Sequence, residues 1–146
     1  MHNYILVCDK NTILPSLKES RWGVKEKDNS RLDVINTNDS VFFYIKAKSA
    51  LSNKGCICGP FQVNKSAIEP DIGYYFEQGY SKIIEFLDKQ DKLYAIFKEI
   101  VDKLEIVNNK QHWGMTFMGR ALIQINPSDA EIISLHIKNN GYEIRL

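Results

Sequence analysis

"SVFFYIKA", residues 40–47, decides the fold class of this chain. Val41 to Ile45 are apolar, aromatic or β-branched without interruption, too short for a buried helix, so the segment reads as a buried strand. Asn38, just before it, suits a left-handed turn position. After it, "SALSNKG" (49–55) has the composition of a loop that returns the chain as a neighbouring strand. That neighbour is "CICGPFQV" (56–63), in which Ile57, Phe61 and Val63 alternate with smaller or polar residues. Pro60 has no N–H to give a ladder and favours an edge or a bulge. Two successive strands with no helix between them cannot be a βαβ unit.

Upstream, "YILVC" (4–8) is a second short buried strand, and "NTILPSLKES" (11–20) a short helix that turns Ile13, Leu14 and Leu17 inward. Asn11 or Thr12 could cap it, with Pro15 in the first turn. "ESRWGVKEK" (19–27) reads as a charged loop around Trp22, and "SRLDVINTND" (30–39) as one helical turn and a polar turn. Downstream, residues 64–81 hold Tyr74, Tyr75, Phe76 and Tyr80 among Pro70, Gly73 and Gly79, an irregular loop rich in aromatic rings. "KIIEFL" (82–87) is a strand. Leu93, Ile96, Phe97, Ile100, Val101 and Leu104 recur at helical spacing and predict an amphipathic helix. "TFMGRALIQIN" (116–126) predicts a strand carrying Arg120. "PSDAEIISLHIKNNG" (127–141) predicts a helix with Ser128 and Glu131 as a capping box and Asn140–Gly141 as its stop. "YEIRL" closes as a strand. The order predicts an α+β fold, a strongly curved mixed sheet or small barrel with peripheral helices, rather than a doubly wound parallel sheet.

With 146 residues the chain has the length of one domain and can bury a core without metal or disulfide staples. Its three cysteines do not suggest a disulfide framework. Cys56 and Cys58 lack CxxC spacing, so buried free thiols are expected and no metal site. No apolar run approaches a membrane span and the start is too quickly charged for a signal peptide, which points to the cytoplasm. A net charge of +1 argues against coating nucleic acid by charge alone. A local basic patch stays open, because Arg21, Lys25, Lys27 and Arg31 cluster around Trp22, and Lys46, Lys48 and Lys54 follow the central strand.

No nucleotide-loop, serine-elbow or zinc-protease motif is present, and no cofactor is expected. His2 and His136 read as surface residues, and no carboxylate stands in an apolar setting. The binding reading has more material. A base swung out of a strand is held by ring stacking, edge hydrogen bonds and cations on the flanking phosphates. "RWGVKEK" supplies a ring, a glycine allowing close approach, and cations. Trp22 is thus either a packing anchor, the commoner role, or a stacking wall. Trp113, in "KQHWGMTFMGRA" (110–121), reads as closing one end of the core. Arg120, within an apolar strand, needs an anionic or planar partner.

"YILVCDKN", "RWGVKEK", "NDSVFFYIK", "GCICGPFQV" and "HWGMTFMGRALIQINPSDAE", in this order, resemble an EVE domain of the PUA-like superfamily, a relative of the YTH domains that read methylated adenine in RNA. The resemblance covers nearly the whole chain and implies a single EVE domain over residues 1–146, built as a PUA-like pseudo-barrel. It implies a nucleic-acid-binding module, for RNA or DNA, that takes a flipped, modified nucleobase into an aromatic pocket, a binding module more than an enzyme. Trp22 and Gly23 match the family's "WGV" motif at the pocket wall. Asn11 and Thr12 fall where relatives supply a polar group to the base edge, and Tyr44 lies on the strand matching "V-L-F-Y". Arg120 matches a late-strand arginine, and with Arg21 and Lys25 it would serve a phosphate or base edge. Asn38–Asp39 replaces the family's Gly-Asp, and residues 64–81 match poorly, leaving Phe61, Tyr74 and Tyr75 as candidates to complete the cage. The alternative is a small ASCH-like hydrolase acting on modified nucleosides.

Overall fold

A computed structural model describes residues 1–146. Strands β1 (Asn3–Cys8) and β3 (Ser40–Ile45) run parallel in register, Tyr4 opposite Val41 and Cys8 opposite Ile45. Parallel neighbours need a long crossover. Here it consists of helix α1 (Ile13–Glu19), strand β2 (Arg21–Val24) and a 3₁₀ helix (Glu26–Val34). Strand β4 (Cys56–Ile68) returns antiparallel to β3. Cys58 faces Phe43 and Phe61 faces Val41, so three steps on β4 oppose two on β3, a bulge at Gly59–Pro60. Further irregularities in its second half hand the strand on to β5 (Lys82–Phe86), which pairs with β2. The sheet has eight strands in the order β2-β5-β4-β3-β1-β7, with β6 (Leu93–Ile96) on β4 and β8 (Tyr142–Glu143) on β6. Strand β7 (Leu122–Ile125) pairs antiparallel with β1. Helix α2 (Tyr74–Glu77) leads into β5, and helix α3 (Pro127–Asn140) covers one face. This is an α+β architecture with an open, curved mixed sheet. No helix is long and apolar enough to cross a membrane.

The central strand explains the two cores. Alternation sends Val41, Phe43 and Ile45 into one cluster with Leu6, Cys58, Phe61 and Phe86, and Phe42 and Tyr44 into the other with Ile5, Phe97 and Ile133. Cover on both faces is why this strand reads as a continuous apolar run. The first cluster is closed by Ile13 and Leu17 of α1, by Leu32, and by Trp22 and Val24 of β2. The second is closed by α3 and the 3₁₀ helix Phe97–Lys103.

Six expectations are corrected. Residues 93–104 are not an α-helix: Tyr94, Ala95 and Ile96 pair with Cys58, Ile57 and Cys56, and the rest is a 3₁₀ helix. The spacing from Phe97 to Ile100 suits a three-residue turn as well as an α-turn, and strand pairing, with β4 for Tyr94 to Ile96 and with β8 for Leu93, takes the first four residues. Trp22 lies in a strand, not a loop. Arg120 precedes β7, so it is not inside an apolar strand. His136 is buried, its Nε2 3.0 Å from the Ile96 carbonyl oxygen. The expected loop 64–81 is shorter, because β4 continues to Ile68 and α2 takes four residues. The cap of α3 is Asn126, which accepts from the Asp129 N–H, rather than the Ser128 box.

Asp129 is buried and accepts from the N–H groups of Glu105 and Ile106, both at 2.9 Å, tying the loop before β7 to α3. Asp129→Ala leaves both donors without a partner and should cost about 2–4 kcal/mol. Denaturant unfolding measures it, and a loss below about 0.5 kcal/mol, typical of a surface change, would contradict this anchoring role.

Candidate functional site

Because β1 and β3 are parallel, their carboxyl ends lie side by side, and the residues after them, Asp9 and Lys46, reach the same rim. Antiparallel pairing of β7 with β1 brings Arg120 and Ala121 to this end too, where the Val7 N–H donates to the Ala121 carbonyl. The curl of β4 carries β5 and β2 round to complete the enclosure. The result is a cleft of about 390 Å³ lined by Val7, Thr12, Trp22, Gly23, Val24, Tyr75, Tyr80 and Phe117, with Lys25, Lys27, Arg31, Lys46 and Arg120 against Asp9 and Asp28. That volume falls in the range of small-ligand pockets.

Close packing forms the floor. A Cβ on Gly23 would stand 2.8 Å from Ile83 Cγ2 and 2.9 Å from Tyr75 Cδ1, so only glycine lets the Tyr75 ring lie against β2. The Tyr75 hydroxyl is 2.5 Å from Ser16 Oγ, which lies 3.9 Å from Cys8 Sγ. Cys8 Sγ is 3.1 Å from Thr12 Oγ1, and Thr12 donates to the Asp9 carbonyl at 3.2 Å. Burial pushes the Cys8 thiol up to about 12, so it keeps its proton and serves as donor to Thr12. Thr12 then has its proton spent on the Asp9 carbonyl, and its oxygen, on a residue lining the cleft, is left with acceptor capacity alone.

The cations sort by what already holds them. Arg21 does not serve the cleft: it lies 3.3 Å from Glu85 and 3.9 Å from Asp71, and donates to the Ile72 carbonyl at 2.7 Å. Arg31 pairs with Asp28 at 3.2 Å. Lys25 donates to the Gln78 carbonyl and sits 4.1 Å from the Tyr80 ring centroid, a cation–π contact that steadies that ring. Lys27, Lys46 and Arg120 are exposed and have no ion-pair partner.

Of the residues singled out from the sequence, Trp22, Gly23, Thr12, Lys25 and Arg120 meet at this cleft. Asn11 is exposed and lines a neighbouring hollow instead. Tyr44 is on the opposite face, stacked on Phe117 with centroids 3.8 Å apart, and only Phe117 reaches the cleft. Burial pushes the Tyr44 hydroxyl up to about 12. Trp113 packs edge-on against Tyr44 and beside Phe97, closing that end of the core. Among the cage candidates, Tyr75 lines the cleft, Tyr74 the hollow beside it, and Phe61 is packed on Phe43 and Phe86. Tyr80 was legible only as part of an aromatic-rich stretch, yet it is half-buried where Trp22 is 4% and Tyr75 1% exposed. Trp22 is therefore a wall backed by the core and not an open stacking plate.

No family model matches the chain. A UPF0310 protein of Pyrococcus abyssi is 24% identical over 117 residues, which are 77% of this chain and 82% of the relative. Among solved structures, the Pho92 YTH domain in complex with m6A superposes with a TM-score of 0.62 at 15% identity, covering 99% of this chain and 88% of that one. The Mmi1 YTH domain in complex with RNA gives 0.59 at 15% identity, covering 96% and 82%. A hypothetical protein from Leishmania major gives 0.56 at 13% identity, covering 94% and 96%. The chain thus has a YTH-like fold.

Two outcomes follow from the floor of the cleft. Gly23→Ala should destabilise by about 1–3 kcal/mol by overpacking, while Gly114→Ala, with open space around its Cβ, should stay within about 0.5 kcal/mol. Equal effects in denaturant unfolding would show that Gly23 is not under steric constraint. Burial also pushes the Cys56 thiol up to about 12, from an ordinary 9.0. The folded chain keeps both protons of Cys8 and Cys56 where the unfolded chain loses them, so stability is full below pH 9 and falls as pH rises toward 12. By pH 10 each of these two thiols should cost about 1 kcal/mol, and Cys8→Ala with Cys56→Ala should remove their share of the loss while leaving that of Cys58, which burial also raises. Unchanged stability of the unsubstituted chain between pH 8 and 10 would refute the assignment.

Proposed function

We propose that this protein binds nucleic acid by taking one flipped base, in particular a modified one, into the cleft between β2 and the ends of β1 and β3. The observation that carries this reading is the meeting of Trp22, Tyr75 and Tyr80 with three cations free of carboxylates, Lys27, Lys46 and Arg120, in one pocket. Rings hold a base face, and cations at the rim hold the flanking phosphates. Because Trp22 and Tyr75 are almost wholly buried, they shape the wall, and Tyr80, fixed by Lys25, offers the accessible ring. Thr12 and Asp9 present acceptors, which suit an amino group on the base edge. The solved relatives with this fold include YTH domains seen with RNA and with m6A, and the sequence resemblance to EVE domains points the same way.

Shape must do much of the selecting. One extra buried methyl contributes about 0.8 kcal/mol, roughly a fourfold preference. A sharper choice needs the plain base to leave a polar group unpaired, worth about 1–3 kcal/mol more.

Short RNA and DNA strands carrying methylated adenine, 5-methylcytosine or 5-hydroxymethylcytosine, beside their plain forms, test the reading. At least one modified strand should bind more tightly than its plain counterpart. Tyr80→Ala should weaken that binding by about 5- to 150-fold. Arg120→Ala should lower the slope of log affinity against log salt by about 0.7 for a single strand. Equal affinity for every modified and plain strand, or full retention of affinity in both variants, would overturn the assignment. Release of an altered nucleoside in mass analysis would instead make the protein a hydrolase of modified nucleosides.

A further inference from the structure

The cleft does not end at Tyr80. A second hollow of about 390 Å³, bounded by Lys10, Asn11, Ala47 and Tyr74, shares Asp9, Thr12, Lys46 and Tyr80 with the cleft, so the two adjoin across a common wall. We infer that this hollow is a second subsite, which stacks the nucleotide adjoining the base held in the cleft. The inference rests on the base-binding reading and adds that the ligand is a single strand read with a fixed polarity.

Three features support it. The rings of Tyr74 and Tyr80 stand 6.3 Å apart and tilted by 40°, both half-buried, so each keeps accessible ring surface beside the shared wall. Tyr74 is held in place by its backbone: its N–H is 3.0 and 3.2 Å from the two carboxylate oxygens of Glu19, at a turn where Gly73 takes a φ of 86°. Lys10 and Lys46 are exposed, make no ion pair, and flank the hollow where a phosphate linking two nucleotides would pass.

The other end of the cleft is built differently. Past Arg31 and Arg120 it opens into a groove lined by Val34, Ile106, Leu122 and Gln124, with no aromatic ring. Arginines there can hold phosphate, but nothing offers a ring face to a base. A neighbour on one side of the central base therefore gains a stack, and a neighbour on the other side does not.

The test uses the 5′-monophosphates of methylated adenosine, 5-methylcytidine and 5-hydroxymethylcytidine, each alone and joined to one adenosine on its 5′ or its 3′ side. Affinities are measured by calorimetry on the full chain. For the monophosphate that binds best, one of the two dinucleotides should bind about 5- to 150-fold more tightly than the other. Tyr74→Leu, which keeps apolar packing against Tyr75, should remove that difference and leave monophosphate affinity unchanged. Equal affinity of the two dinucleotides, with the monophosphates still bound, would overturn the second subsite and leave the base pocket standing. A polarity that persists in Tyr74→Leu would equally overturn the assignment of the stack to Tyr74. Failure of every monophosphate and dinucleotide to bind would overturn the base pocket, and the subsite with it.

Discussion

The parallel pairing of β1 with β3 is the constraint on which the rest of the molecule depends. Parallel neighbours cannot be joined by a tight turn, so the chain from Asp9 to Asp39 must travel from one end of the sheet to the other. Along the way it deposits α1, β2 and a 3₁₀ helix over one face of the sheet. The same pairing sets both strand ends, and hence Asp9 and Lys46, on one rim. A hairpin between these strands would have put them at opposite ends, and no cleft would form. Asp39, buried at the far end, completes the crossover by accepting from the N–H groups of His2 and Asn36.

Much of this was readable because the strands carry their own signal. Residues 41–45 are apolar throughout because both faces of β3 are covered, and the resulting pattern cannot be mistaken for an amphipathic element. Asn38 takes the left-handed conformation anticipated for it, with φ of 75°. Residues 93–104 misled because a run of apolar residues three or four apart fits a helix, a strand followed by a 3₁₀ helix, or both. What decides there is the demand of β4 for a partner along Cys56, Ile57 and Cys58, which is information held 35 or more residues away. Tertiary pairing overrides local periodicity wherever a backbone edge must be filled.

The site was legible in its types and not in its roles. Trp22, Gly23, Thr12, Lys25 and Arg120 were all visible as chemistry, but a sequence does not say which cations are already spoken for. Arg21 and Lys25 lie in one charged stretch, yet one faces Glu85 and Asp71 and the other braces Tyr80. Lys46, which is left free, comes from a different strand end. Tyr44 shows the same limit: its strand was right and its face was not, since a shift of one residue along a strand exchanges the two cores.

Gly23 clarifies what the tryptophan beside it does. An apolar ring amid charges invites a reading as a free stacking surface, but the absent side chain of Gly23 admits Tyr75 against β2, and Tyr75 and Trp22 are both buried. The hydroxyl of Tyr75 would be costly in that setting without Ser16, and the links onward to Cys8 and Thr12 pass the hydrogen-bonding requirement along until it reaches a backbone carbonyl at the rim. Each donor in this series is used inside the protein. What is left to Thr12, which lines the cleft, is acceptor capacity, so the internal chain that stabilises the floor also fixes the polarity of the wall. The charge around Trp22 follows the same division of labour: Arg21 and Arg31 are paired and Lys25 braces Tyr80, whereas Lys27, Lys46 and Arg120 are free.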